Sequence, residues 1–311
     1  MKWIHSLLFL LLVALPGCTV KKLHPDPSPI PQRIVPDNKF QVALVLGGGG
    51  SRGLAHVGVI EELQNAEIPI DLIVGTSAGG IVGALYADTQ DIDYIKNILC
   101  PLKSSAILDY TLINSRYGFV TGYKLRDYLN KYLKSRTFEE LKVPLIVVAA
   151  DLYTGEVVTL GASELIPSVH ASCAVPGMFR PVRLYGRYLI DGGILEPVPV
   201  QTARNNGAEI VIAVDISENL SEDLPKNIID VMVRSFEICY LQLSNISMMS
   251  ADVVIKPKIR RVGMFCDTKS DKDKLYLAGR EAARNAIPYI KHLIEMKQKG
   301  VQNSYPIEEI Q

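Results

Sequence analysis

Ile70-Asp71-Leu72-Ile73-Val74-Gly75-Thr76-Ser77-Ala78-Gly79 is the stretch on which the reading of this chain turns. An apolar run ends in G-x-S-x-G, and Ala78 to Ala87, rich in small residues, reads as a helix. Strand, sharp turn and helix are the setting in which a serine hydroxyl is raised at the tip of a sheet with little around it. Gly75 and Gly79 flank Ser77 at a distance of two residues each and leave room for a strained turn, since glycine alone takes such backbone angles cheaply. A helix N-terminus beside the serine offers backbone N–H groups and a positive dipole end to a developing oxyanion. The same pentapeptide also arises as a plain turn between strand and helix, so the surrounding pattern has to decide.

Outward from that turn, Phe40 to Leu46 reads as a buried strand and Leu54 to Ala66 as an amphipathic helix with Leu54, Val57, Ile60 and Leu63 on one face. With Asp71 to Val74 and the helix after it, the order is strand, helix, strand, helix, which predicts a parallel sheet. Further strands are expected at Leu145–Ala150, Glu156–Leu160, Val182–Ile190, Glu209–Val214 and Asp252–Ile255. Helices are expected at Ile92–Leu99, Tyr123–Leu133, Ser163–Ser172, Val200–Asn205, Ile228–Ser244 and Lys272–Lys299, the last kinked by Pro288. Ile107 to Thr121 is a candidate cover for a site. The sequence shows no internal repeat and no interdomain linker, so residues 40–299 read as one domain and 300–311 as a tail.

The first strand runs into Gly47-Gly48-Gly49-Gly50-Ser51-Arg52-Gly53. Such a loop can aim several N–H groups into one cavity and form an anion nest. Gly48, Gly50 and Gly53 also satisfy the dinucleotide fingerprint G-x-G-x-x-G. That fingerprint asks for an acidic residue at the end of the second strand, whereas Asp71 stands at its start. No Gly-Lys-Ser/Thr follows to make a Walker loop. An oxyanion loop beside a nucleophile loop accounts for both glycine clusters.

A serine nucleophile needs a base. His56, His170 and His292 all fall in expected helices, without the loop context of a catalytic histidine. Asp191, in Leu189-Ile190-Asp191-Gly192-Gly193, ends an expected strand, and a partly desolvated carboxylate there could take a proton. Asp-Gly is equally a turn signal, and the residues alone leave both readings open.

Taken together, Gly48 to Gly53, Gly75 to Gly79, Asp191-Gly192-Gly193 and the block Ala171-Ser172-Cys173-Ala174-Val175-Pro176-Gly177-Met178-Phe179 resemble the patatin-like phospholipases, in particular the short bacterial members of the neuropathy-target-esterase branch. The resemblance covers roughly Val42 to Arg204. It implies an α/β fold of three layers, α/β/α, with a central mostly parallel sheet, and a Ser–Asp dyad without a catalytic histidine. By the same resemblance Ser77 is the nucleophile and Asp191 the base. Gly48, Gly49 and Gly50 form the oxyanion loop, Arg52 holds that loop or meets a lipid phosphate, and Gly53, Gly75, Gly79, Gly192 and Gly193 support the turns. The implied reaction is hydrolysis of lipid acyl esters through an acyl-enzyme, with no metal or organic cofactor. A thioesterase or small-ester hydrolase, and a lipid-anchored scaffold that has lost turnover, are the alternatives.

The 311 residues carry 33 basic and 33 acidic side chains, so no net field favours nucleic acid, which is not an expected partner. Met1 to His5 is weakly basic, Ser6 to Leu15 is apolar but too short to span a bilayer, and Leu15-Pro16-Gly17-Cys18 resembles a bacterial lipobox. Residues 1–17 are therefore expected to be a lipoprotein signal peptide and Cys18 the acylated residue; an ordinary secretory signal or an uncleaved anchor are the other readings. Pro25, Pro27, Pro29, Pro31 and Pro36 make residues 18–39 an extended tether. The expectation is a protein held by lipid on a membrane surface of the bacterial cell envelope, the outer membrane before the inner, since Thr19 follows Cys18. Cys100, Cys173, Cys239 and Cys266 show no metal spacing and read as buried small residues.

Overall fold

The computed structural model describes residues 25–32, 40–111, 115–220, 223–259, 262–264 and 266–299. Strands are β1 (Phe40–Leu46), β2 (Leu72–Thr76), β3 (Leu145–Asp151), β4 (Val157–Leu160), β5 (Val182–Leu184), β6 (Arg187–Asp191), β7 (Ala208–Val214) and β8 (Val253–Ile255). Helices are α1 (Leu54–Asn65), α2 (Ala78–Thr89), α3 (Ile92–Leu99), α4 (Tyr123–Tyr132), α5 (Leu165–Ser172), α6 (Val200–Asn205), α7 (Ile228–Met248) and α8 (Lys269–Gln298).

They build one sheet in which hydrogen-bonded neighbours run β5-β6-β3-β2-β1-β7-β8, with β4 along the other edge of β3. The pairs β1–β2, β1–β7, β2–β3 and β7–β8 are parallel, and β4, β5 and β6 join antiparallel. Alternation along β1 divides the core. Val42, Leu44 and Leu46 pack with α1 and α2 on one face, while Ala43 and Val45 pack with Val200 and Ala203 of α6 on the other. Both faces are covered, which gives the three-layer α/β/α sandwich.

Three expectations change. Helix α1 is not amphipathic, because His56, Gly58 and Val59 are buried along with Leu54, Val57, Ile60 and Leu63. It is sandwiched by the sheet and α8, whose backbone comes so near that a Cβ on Gly58 would lie 2.1 Å from the Tyr276 carbonyl oxygen. The expected strand Val182–Ile190 is a hairpin, turning at Tyr185 and Gly186, both at positive φ. Pro25 to Gln32 is not a free spacer: Asp26 N–H donates to the Gly186 carbonyl at 2.8 Å and Ser28 N–H to that of Tyr185 at 3.1 Å. Extended backbone leaves the non-proline N–H groups free to pair in this way.

Helix α8 continues through Pro288. Cys173 and Cys266 are buried as expected, but Cys239 is exposed on α7; Cys100, Cys173, Cys239 and Cys266 are all free thiols. The signal segment and Cys18 lie outside the described residues, among which no helix is long and apolar enough to cross a membrane.

Candidate active site

Register explains why residues 114 positions apart in sequence can meet. β2 pairs with the first half of β3, ending at Thr76 opposite Val148. β6 pairs with the second half, ending at Asp191 opposite Ala149. Since β4 occupies the other edge along Val147–Ala150, β2 and β6 share one edge of β3 and run at each other head to head. Ser77 follows the end of β2 and Asp191 closes β6, so the two side chains are delivered to the same point.

At that point the Ser77 hydroxyl stands beside the Asp191 carboxylate and draws its carboxyl down. Asp191 Oδ1 accepts from Gly193 N–H at 2.7 Å. Only 5% of Asp191 is exposed. Burial raises its carboxyl to about 6, against the Ser77 hydroxyl and the Gly193 N–H, which draw it down. Ser77 stands at φ 53°, ψ −118°, a strained position for a residue with a side chain, and caps α2. The flanking glycines are sterically required: a Cβ on Gly75 would meet the Gly79 carbonyl oxygen at 2.6 Å, and one on Gly79 the Leu46 carbonyl oxygen at 2.0 Å. Gly192 is equally tight, 2.3 Å from the Val148 carbonyl oxygen.

The block Ala171–Phe179 clamps both partners. Ser172 Oγ accepts from Ser77 N–H at 2.9 Å and donates to the Val148 carbonyl at 2.6 Å. Two residues on, the Ala174 carbonyl accepts from Asp191 N–H at 2.9 Å. Cys173 between them lines the cavity with Ser77, and burial pushes its thiol well up. Nothing in the residue types singled out Ser172 as a clamp; only its place between two strand ends does.

The glycine loop needs one correction. Gly48 N–H donates to the Pro197 carbonyl at 2.9 Å, so it is turned away from the site. Its bare Cα serves close approach instead, since a Cβ there would stand 3.2 Å from Ser77 Cβ. Gly49 and Gly50 N–H have no hydrogen-bond partner among the described residues and adjoin Ser77 in the cavity wall. Ser51 N–H is held by the Met264 carbonyl at 2.8 Å. Arg52 braces the loop, with Nε donating to the Gly49 carbonyl at 3.2 Å and the guanidinium 3.8 Å from Glu218. Gly53 packs on α2, where a Cβ would come within 3.1 Å of Ala78 Cβ.

The histidines stand elsewhere. His56 is fully buried and donates from Nε2 to the Gly47 carbonyl at 2.7 Å. Burial lowers it to about 4, so it is neutral and braces the loop from behind. His170 accepts from Arg126 Nε at 2.8 Å, and burial lowers it to about 3. His292 is exposed on α8. Asp71, the rejected ribose ligand, accepts from Val42 N–H at 2.9 Å and closes the start of β2.

Ser77 and Asp191 open into a cavity walled largely by carbon, with Leu54, Ile81, Leu102, Leu125 and Phe179 among its sides. Ile107 and Leu108, the start of the expected cover, are part of that wall; residues 112–114 of that cover lie outside the described residues. A serine at a strained strand-to-helix turn, a buried carboxylate beside it and an apolar chamber give the α/β/α architecture of a nucleophile elbow.

The patatin-like phospholipase family profile matches residues 44–204, just over half of the chain, and the chain belongs to that family. An uncharacterized NTE family protein of Mycobacterium tuberculosis is 33% identical over 193 residues, covering 61% of this chain and 53% of its own. Human patatin-like phospholipase domain-containing protein 6 is 31% identical over 193 residues, covering 59% and 14% respectively. Lysophospholipase NTE1 of Debaryomyces hansenii is 34% identical over 197 residues, covering 61% and 13%. The chain thus spans about half the length of the mycobacterial relative and a small part of the other two. Among solved structures, VipD of Legionella pneumophila shares the fold with TM-score 0.57 and 14% identity, covering 81% of this chain and 67% of its own.

Proposed function

We propose that the protein is a serine hydrolase of lipid acyl esters, phospholipid or lysophospholipid, working through Ser77 and Asp191. The family and the lysophospholipase name borne by one relative support lipid ester hydrolysis. The observation that supports the mechanism is the meeting of two strand ends on β3, which brings Ser77 into one cavity with a carboxylate whose basicity burial has raised.

Ser77 Oγ attacks the ester carbonyl carbon as its proton passes to Asp191. The tetrahedral oxyanion is received by Gly49 and Gly50 N–H and by the first turn of α2. Collapse breaks the bond to the leaving oxygen, which takes the proton from Asp191, and the acyl group stays on Ser77. Water then gives its proton to Asp191 and attacks the acyl-enzyme; the fatty acid leaves and Ser77 recovers its proton. The apolar chamber beside Ser77 takes the acyl chain, which favours long-chain esters over small ones. Acylation of Cys18 would hold the enzyme at the surface where such esters lie.

The test is hydrolysis of defined phospholipid and lysophospholipid vesicles, with wild type beside Ser77→Ala and Asp191→Asn. Both variants should lose at least about 10³-fold in kcat while staying folded, and a fluorophosphonate probe should label wild type but not Ser77→Ala. Folded wild type that neither labels nor turns over lipid would return the scaffold reading. Metabolic labelling with a palmitate analogue, lost in Cys18→Ser, tests the anchor.

A further inference from the structure

One polar group in the chamber has no part in the dyad. Tyr240, on α7, lines the cavity with its hydroxyl buried and without a hydrogen-bond partner among the described residues. Other buried polar atoms in that condition, such as His56 Nδ1, Tyr185 Oη and Ser244 Oγ, belong to residues outside the cavity wall. A folded protein seldom leaves such a donor unused, so one that faces a binding chamber waits for a partner that arrives with the ligand.

Two glycines locate the phenol against the reacting groups. A Cβ on Gly48 would fall 2.6 Å from Tyr240 Oη and 3.2 Å from Ser77 Cβ. A Cβ on Gly193 would fall 2.7 Å from Tyr240 Cε2 and 3.0 Å from Asp191 Oδ1. The ring therefore lies over the Asp191 turn and its hydroxyl over Gly48 and Ser77. Gly48 is also the loop glycine whose own N–H is spent on Pro197, so the hydroxyl stands where the backbone offers no donor.

We infer that Tyr240 is a catalytic residue: its hydroxyl donates a hydrogen bond to the carbonyl oxygen of the ester as that oxygen becomes an oxyanion, beside the amides of Gly49 and Gly50. This deepens the Ser77–Asp191 reading and rests on it. No proton changes hands in the step. The bond from Ser77 Oγ to carbon forms, the carbonyl pair moves onto oxygen, and Tyr240 keeps its hydrogen. Burial, with Asp191 beside it, pushes the phenol far up, so it remains a donor at any working pH. Phe236, one turn earlier on α7 with its ring centroid 6.2 Å away, shares the cavity wall and fixes the ring's side of the helix.

The experiment is Tyr240→Phe in the full chain, assayed against a long-chain p-nitrophenyl ester and an alkyl ester of the same acid, with thermal unfolding alongside. The phenyl ring keeps its packing, and the lost hydroxyl has no protein partner to orphan. Catalytic efficiency, kcat/KM, should fall roughly 10- to 100-fold on both esters, by similar factors, with a Tm equal to or above wild type. Unchanged turnover on both esters overturns the inference. So does a loss confined to the alkyl ester, which would assign the hydroxyl to the leaving oxygen, and so does a Tm lowered by several degrees, which would make it a structural group. Wild type that fails to hydrolyse either ester would instead refute the dyad.

Discussion

Ser77 and Ser172 are joined backbone to side chain: the amide of the first donates at 2.9 Å to the hydroxyl of the second, which passes its own hydrogen to the Val148 carbonyl at 2.6 Å. The strained φ of Ser77 is thereby tied to the central strand through one oxygen. Ser172→Ala leaves that amide unpaired. A loss of about 1–3 kcal/mol in denaturant unfolding is expected, together with a fall in kcat larger than any change in KM. Full activity in a destabilised variant would show that the elbow holds its shape without the clamp.

In the proposed mechanism Asp191 is the base and sets the acid limb of activity. As a base it must be ionised, so kcat/KM should climb with pH and level off above about 6. A limb at the ordinary carboxylate value of about 4 would contradict the burial argument.

The same shift reaches stability with the opposite sense. The folded carboxyl titrates near 6 and the unfolded one near 3.8. Its contribution is therefore whole below the unfolded value and lost as pH rises through the folded one. Asp191→Asn escapes that loss. It should gain on wild type between about pH 4 and pH 7, by at most about 3 kcal/mol, in unfolding followed across pH.

His56 has the reverse sign. Held neutral by burial, it titrates near 4 in the fold and 6.5 when free, so its stabilisation is present above 6.5 and fades as pH falls toward 4. His56→Gln can still donate to the Gly47 carbonyl but does not titrate. Its stability should be flatter than that of wild type over that range. Equal slopes in the two proteins would refute the assignment.

Two glycines make a paired test. Gly79→Ala would force a Cβ to 2.0 Å from the Leu46 carbonyl oxygen, and a loss above about 3 kcal/mol is expected. Gly155→Ala meets nothing within 4 Å, and its positive φ alone should cost about 1 kcal/mol. Comparable losses at both sites would mean that steric closeness does not explain the elbow.

Much of this was open to reading in the chain. The buried strand Phe40–Leu46, the order strand, helix, strand, helix and the G-x-S-x-G context led to a mostly parallel sheet with Ser77 at a strand end, because each signal is local. The hairpin at Tyr185-Gly186 was missed, since only one of its turn residues announces itself. The full burial of α1 was missed because α8, more than two hundred residues later, supplies its second cover. Tyr240 gave no signal at all, and Ser172 stood in a block marked only by resemblance, with nothing to assign it a clamp; a tyrosine on a helix and a serine before a cysteine look ordinary until the chamber is built around them.

Sequence alone determined the class of fold, the sharp turn that carries Ser77 and the glycines it needs, because strand order and turn sterics are written in short stretches of chain. The tertiary structure alone decided that β2 and β6 abut on one edge of β3, that Gly48 spends its amide on Pro197, and that a phenol from α7 stands over Ser77. Those facts rest on register and close packing between distant segments, which no local pattern encodes.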